Sequence, residues 1–162
     1  IDTTLINHVG QEFARRFQGT HIDRIVTIES SGIAVAYAVS LAMNNLPIVF
    51  ARKKKSLLTK GEQYTANIYS YTKQEEYTAS ISKSYLHAGE TILIIDDFLA
   101  SGAAAIGLTN LAKKAGCKVA GIGIVVEKTF QCGRHKLEEA GFRVESLARI
   151  SRFENNKPIF AD

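Results

Sequence analysis

Apolar positions change their spacing several times along this 162-residue chain, and each change marks an element. Leu5, Ile6, Val9, Phe13, Ala14 and Phe17 recur every three or four residues behind Asp2 and Thr3. That pattern predicts a packing helix, capped at its start and stopped at Gly19. A strand is expected over 24–29, and Ser30, Ser31 and Gly32 then make a tight polar turn into an apolar helix over 33–44. Pro47 restarts the chain before a short strand over 48–51. The polar stretch 56–66, with Gly61 and little periodicity, predicts a mobile loop. Segments 67–72 and 77–82 predict two strands of a hairpin, joined by Lys73, Gln74, Glu75 and Glu76.

The strongest signal follows. Four branched apolar residues at 92–95 suit a strand buried on both faces, so Asp96 and Asp97 are expected to emerge where that strand leaves the sheet. Beyond them Ala100, Ser101 and Gly102 lead into a helical pattern over 103–115, which Gly116 stops. A further apolar strand is expected over 118–127, a helix over 133–140 and a last strand over 142–150 before a polar tail. Strands alternating with helices predict an α/β domain with a central parallel sheet flanked by helices. The length favours a single domain over 1–162, with 52–82 as a flexible lid carrying the hairpin. Because the chain opens on Ile1 at a helix-start signal, a short upstream segment is expected to be missing.

In open parallel sheets, ligands bind beyond the carboxyl ends of the strands, where these loops converge. Backbone N–H groups left unpaired at a helix start among small residues suit a phosphate, and two carboxylates suit a pair of hydroxyls. Ribose 5-phosphate carries both groups. Two adjacent acids at the end of an apolar strand would otherwise bring repulsion and a desolvation cost, so a cap-only role is the weaker explanation. Ser30, Ser31 and Gly32 form a second potential anion site. Arg52, Lys53, Lys54 and Lys55 follow a strand end, which favours a diphosphate over a merely solvated charge run or a nucleic-acid backbone. Lys128 stands at the same edge.

Other chemistry is disfavoured. Gly121 and Gly123 lie within a strand and open no helix, so they make no dinucleotide fingerprint, and no phosphate-loop pattern ending in Gly-Lys-Ser/Thr occurs. Cys117 and Cys132 fit neither a zinc site nor a disulfide framework, which suits a reducing cytoplasm. The net charge of +4 is modest for a nucleic-acid binder. Tyr64, Tyr69, Tyr71 and Tyr77 are explained by alternation in a hairpin, and no apolar run approaches the length of a membrane span. Neither nucleic acid nor a membrane is therefore expected as a partner.

The stretch ILIIDDFLASGAA at 92–104 resembles the phosphoribosyl pyrophosphate (PRPP) signature of type I phosphoribosyltransferases. VTIESSG at 26–32, ARKKKS at 51–56, YSYTKQ at 69–74, GIGIVVEKTFQ at 121–131 and RVESLAR at 143–149 extend the resemblance almost end to end, toward the bacterial members that act on xanthine. The resemblance implies a type I fold with a β-hairpin hood, transfer of the 5-phosphoribosyl group from PRPP to xanthine or another 6-oxopurine, and a homodimer. It implies that Ala100, Ser101, Gly102, Ala103 and Ala104 bind the 5-phosphate and that Asp96 and Asp97 bind the ribose hydroxyls and serve catalysis. Ser30, Ser31, Gly32, Arg52 and Lys53 would bind pyrophosphate, Phe98 would stack on the purine and Lys128 would bond its 6-oxo group. Mg²⁺ would be held through PRPP rather than in a protein cage. Ser101 departs from the threonine or asparagine frequent at that loop position. A non-catalytic PRPP-sensing domain of a purine repressor shares the pattern and is the alternative.

Overall fold

The structure is a computed structural model and describes residues 1–53, 61–70 and 74–161. The first helix, α1 (Thr3–Arg16), starts where the Leu5 N–H donates to the Asp2 carboxylate at 3.0 Å. The chain then runs β1 (Arg24–Ile28), α2 (Gly32–Ala42), β2 (Ile48–Ala51), β3 (Gln63–Ser70), β4 (Glu75–Ser82), β5 (Thr91–Leu99), α3 (Ala103–Ala115), β6 (Lys118–Lys128), α4 (Gly133–Glu139), β7 (Val144–Glu154) and β8 (Lys157–Phe160). Six strands form one sheet in the order β2-β1-β5-β6-β7-β8. All neighbours in it are parallel except β8, which runs antiparallel to β7. The expected parallel sheet, flanking helices and hairpin are all present.

The apolar run of β5 has its cause in two cores. Leu93 and Ile95 pack with Phe13, Phe17, Val35 and Val39 from α1 and α2. Ile92 and Ile94 face the other side, with Leu108 and Leu111 of α3 and Ala66, Ile68, Ala79 and Ile81 of the β3–β4 hairpin. A central strand covered on both faces has no position at which a polar side chain reaches water, so alternation disappears from its sequence. Close approach of α3 to the hairpin depends on Gly107, because a Cβ there would overlap the Ile68 side chain. Lys114 adds a hydrogen bond from Nζ to the Thr65 carbonyl at 2.6 Å.

Four expectations need correction, the first being that Glu75 and Glu76, expected to join the hairpin strands, open β4 opposite Ser70 and Tyr69. Residues 63–66, expected in a loop, belong to β3, because this stretch pairs with β4 from Gln63↔Ser82 onward and buries Ala66. Residues 56–60 of that expected loop lie outside the described residues. The expected polar tail contains β8, joined to an extended β7 by Asn155 and Asn156 with φ of 47° and 62°. Two consecutive positive φ values suit the right-handed twist of a hairpin, and asparagine tolerates them. Finally, Asp96 and Asp97 do not follow β5 but lie within it. Pairing of β5 with β1 ends at Val26↔Ile94, whereas its pairing with β6 runs on to Leu99↔Glu127. The acids stand where the strand has lost one neighbour and kept the other.

Candidate active site

At the carboxyl edge of the sheet lies a cleft of about 870 Å³. Its floor is Ala100, Ser101, Gly102, Ala103 and Ala104, between β5 and α3; its sides include Ser30, Lys53, Phe98 and Lys128. Gly102 precedes α3 with φ of 84°, a left-handed conformation that glycine adopts without the Cβ penalty. The N–H groups of the first helical turn have no acceptor within the helix, and they open onto a loop whose side chains are nearly all methyl groups or hydrogen. Small residues here keep the backbone approachable.

Asp96 is 5% exposed, and its carboxylate accepts from the Asp97 N–H at 3.0 Å. Burial and then the neighbouring Asp97 push the Asp96 carboxyl up from 3.8 to about 8. Gly32, the first residue of α2, lies against it: a Cβ on Gly32 would stand 3.1 Å from Asp96 Oδ1 and would overlap the Thr27 hydroxyl. The Thr27 hydroxyl is buried without a hydrogen-bond partner among the described residues. The 30–32 turn therefore meets Asp96 directly, and the Glu29–Ser30 peptide that leads into it is cis.

At the opposite end, Lys128 places its Nζ 5.2 Å from the centroid of the Phe98 ring, which is 42% exposed. A partly exposed aromatic ring with an ammonium over it is suited to a flat, polar ring. Lys53 donates its backbone N–H to the Glu29 carboxylate, and its Nζ lies 5.6 Å from the Tyr77 ring centroid. Arg52 is placed differently. Its guanidinium sits 5.7 Å over Phe50 and lines a second cleft of about 360 Å³ on the outer side of β2. Strand alternation is the reason: Arg52 shares a face with Phe50, and Lys53 takes the other. Lys54 and Lys55 lie outside the described residues.

Glu29, Tyr77 and Gln131 also line the main cleft, positions to which the sequence pattern assigns no site role. Tyr77 carries a raised hydroxyl pKa, through burial first and then the Asp96 charge. Its alternation in β4 concealed it, because hairpin packing already accounted for a tyrosine there. The structure thus lines one cleft with Ser30, Lys53, Phe98, the 100–104 loop and Lys128, whereas Asp96, Asp97, Ser31 and Gly32 stand at the same sheet edge outside that lining.

A family model described as the phosphoribosyl transferase domain matches residues 4–148. The chain belongs to the phosphoribosyltransferase family. Among its curated relatives are a xanthine phosphoribosyltransferase from Listeria monocytogenes, 54% identical over all of this chain and 84% of the relative, and one from Exiguobacterium sp., 51% identical over all of this chain and 83% of the relative. Among solved structures, an adenine phosphoribosyltransferase from Thermoanaerobacter pseudethanolicus superposes with a TM-score of 0.80 at 24% identity, covering 91% of this chain and 82% of that one. One from Saccharomyces cerevisiae, complexed with adenine, gives 0.74 at 26% identity, covering 88% and 77%.

Proposed function

We propose that the cleft transfers the 5-phosphoribosyl group from PRPP to a ring nitrogen of xanthine, giving XMP and pyrophosphate. The observation that carries this proposal is the alignment, along one sheet edge, of a methyl-lined helix start, a buried acid next to a half-buried one, and an ammonium beside a partly exposed aromatic ring. Relatives above 50% identity named for the same activity support it. In this proposal the backbone of Ala100, Ser101, Gly102, Ala103 and Ala104 holds the 5-phosphate at the start of α3. Asp96 and Asp97 accept hydrogen bonds from the ribose hydroxyls. Ser30, Ser31 and Gly32 hold the pyrophosphate together with Lys53; Arg52 joins them only if its side chain leaves Phe50.

As the bond at C1 breaks, positive charge develops on the sugar and negative charge on the departing diphosphate. The acid pair stabilises the first, and Lys53 with the α2 start stabilises the second. Mg²⁺ would be held through PRPP rather than by a protein cage, and would supply neutralisation of the diphosphate charge beside Lys53. An acid pair of which one member is already pushed toward neutrality fits such a cation, as it fits hydroxyl donors, since either favours the ionised form. Phe98 covers the purine and Lys128 donates to its 6-oxo oxygen. Adenine presents an amino group at that position, and two facing donors leave the ammonium unpaired.

The hairpin serves as a hood that excludes water, hinged beyond Ala66, Ile68, Ala79 and Ile81, because these four are buried in the core. The active unit is a homodimer in the cytoplasm. Steady-state turnover of xanthine, hypoxanthine, guanine and adenine with PRPP and Mg²⁺ tests the proposal. Xanthine should be used best and adenine measurably but far less; no product from any purine would refute it.

A further inference from the structure

Glu127 stands one residue before Lys128 on β6 and is 1% exposed. Alternation sends the two side chains to opposite faces, Lys128 into the cleft and Glu127 beneath α4. Arg134, in the first turn of α4, forks onto Glu127, with Nε 2.8 Å from Oε1 and Nη2 2.7 Å from Oε2. The same guanidinium donates to Ser146 Oγ and to the Val144 carbonyl on β7, both at 3.1 Å, and to Glu138 at 2.7 Å. Arg149 stands 3.8 Å from the Glu127 carboxylate. Burial pushes the Glu127 carboxyl up, but hydrogen bonds from Arg134 and Ser146 outweigh it and hold the group below the ordinary carboxylate range. One buried carboxylate thus ties the ends of β6 and β7 to α4.

The next contact leads to the phosphate loop. Gly133 donates its N–H to the Ala100 carbonyl at 3.1 Å, and a Cβ on Gly133 would overlap that oxygen. From the other side, a Cβ on Gly102 would stand 2.9 Å from the Gly133 Cα. Two backbones in glycine-to-glycine contact leave no slack, so a shift of α4 displaces the loop.

We propose that the Glu127–Arg134 pair is a positioning device that sets the 100–102 loop through Gly133 and the direction of Lys128 through β6, fixing the span between the phosphate and base ends of the site. This inference rests on the PRPP-dependent function proposed above. Stability alone is a poor explanation of the pair, since apolar residues of similar volume often replace a buried ion pair at no cost. A planar guanidinium fork fixes orientation in a way that a lysine does not. Misplacement by about 1 Å remote from the chemistry is enough to cost ~100-fold in rate.

The test compares wild type, Arg134→Lys and the double variant Glu127→Leu with Arg134→Leu. The measurements are thermal unfolding, kcat, the KM for PRPP and for xanthine, and the ratio of xanthine to adenine turnover. Arg134→Lys keeps the charge and loses the fork; it should fold, raise both KM values and lower kcat/KM by about tenfold or more. The double variant removes both charges together, should unfold near the wild-type temperature, and should show the same kinetic losses with a reduced preference for xanthine. A merely structural pair would lower the unfolding temperature and leave both KM values of the folded protein unchanged, which would overturn the inference. So would wild-type kinetics in the double variant, which decides the matter if Arg134→Lys does not fold. Wild-type protein that turns over no purine would instead refute the proposed function, and this inference with it.

Discussion

Replacing Asp96 by Asn removes one ionisable group from the acid pair while keeping its size. Asp96 is buried beside Asp97, and its carboxyl is pushed from 3.8 to about 8. A carboxyl with a raised pKa binds its proton more tightly in the folded protein than in the unfolded chain. Its contribution to stability is therefore fully present below about pH 4 and is lost as pH rises toward 8. A shift of about four units corresponds to ~5 kcal/mol over that window. Depressed carboxylates such as Glu127 and Glu90 act in the opposite sense, but they are common to both proteins and cancel in the difference. Urea unfolding at intervals from pH 4 to 9 should show the Asn variant gaining on wild type as pH rises, by several kcal/mol in all. The variant should also bind PRPP more weakly, by about 1.5–3 kcal/mol, because a charge-assisted acceptor is lost. In buffers of different ionisation enthalpy, calorimetry at pH 7 should register more proton release when wild type binds Mg²⁺ and PRPP than when Asp96→Asn does. Parallel stability curves together with equal proton release would refute the assignment of Asp96 as a group that ionises upon binding.

Lys128→Met retains much of the stem and deletes the ammonium; preference for 6-oxopurines over adenine should fall by about 10-fold or more in competition assays, and full retention would leave Lys128 as an ordinary surface lysine. Gly107→Ala should lower stability by about 1–3 kcal/mol in denaturant unfolding, because its new methyl overlaps Ile68. Adding Ile68→Val should recover part of that loss, and an additive double variant would exclude the contact. Hydrogen exchange should divide the hairpin, with slow exchange near Ala66, Ile68, Ala79 and Ile81 and faster exchange near Tyr69 and Glu75 that slows when Mg²⁺ and PRPP bind. Unchanged exchange at saturation would count against closure.

The local pattern by itself determined most of the elements. Ala103–Ala115 is legible as a helix because its start is a run of small residues and its end is Gly116, which has φ of 73° in the fold. The run at 92–95 is legible as a doubly covered strand because no polar residue interrupts it. The acid pair and the small-residue loop could be linked to a phosphoribosyl ligand because they are adjacent in the chain, so their chemistry is local. Tertiary structure decided whatever depends on a partner distant in sequence. The Ser30–Gly32 turn meets Asp96 only because β1 lies beside β5. Arg52 and Lys53 look equivalent in a row of cations, yet strand alternation sends one toward Phe50 and the other into the cleft. β8 looks like a polar tail because an edge strand with exposed residues carries little apolar pattern, and only pairing with β7 reveals it. Arg134, an unremarked cation in a short helix, acquires its importance from Glu127, Ser146 and Val144 on two neighbouring strands, a convergence that no spacing in the sequence encodes.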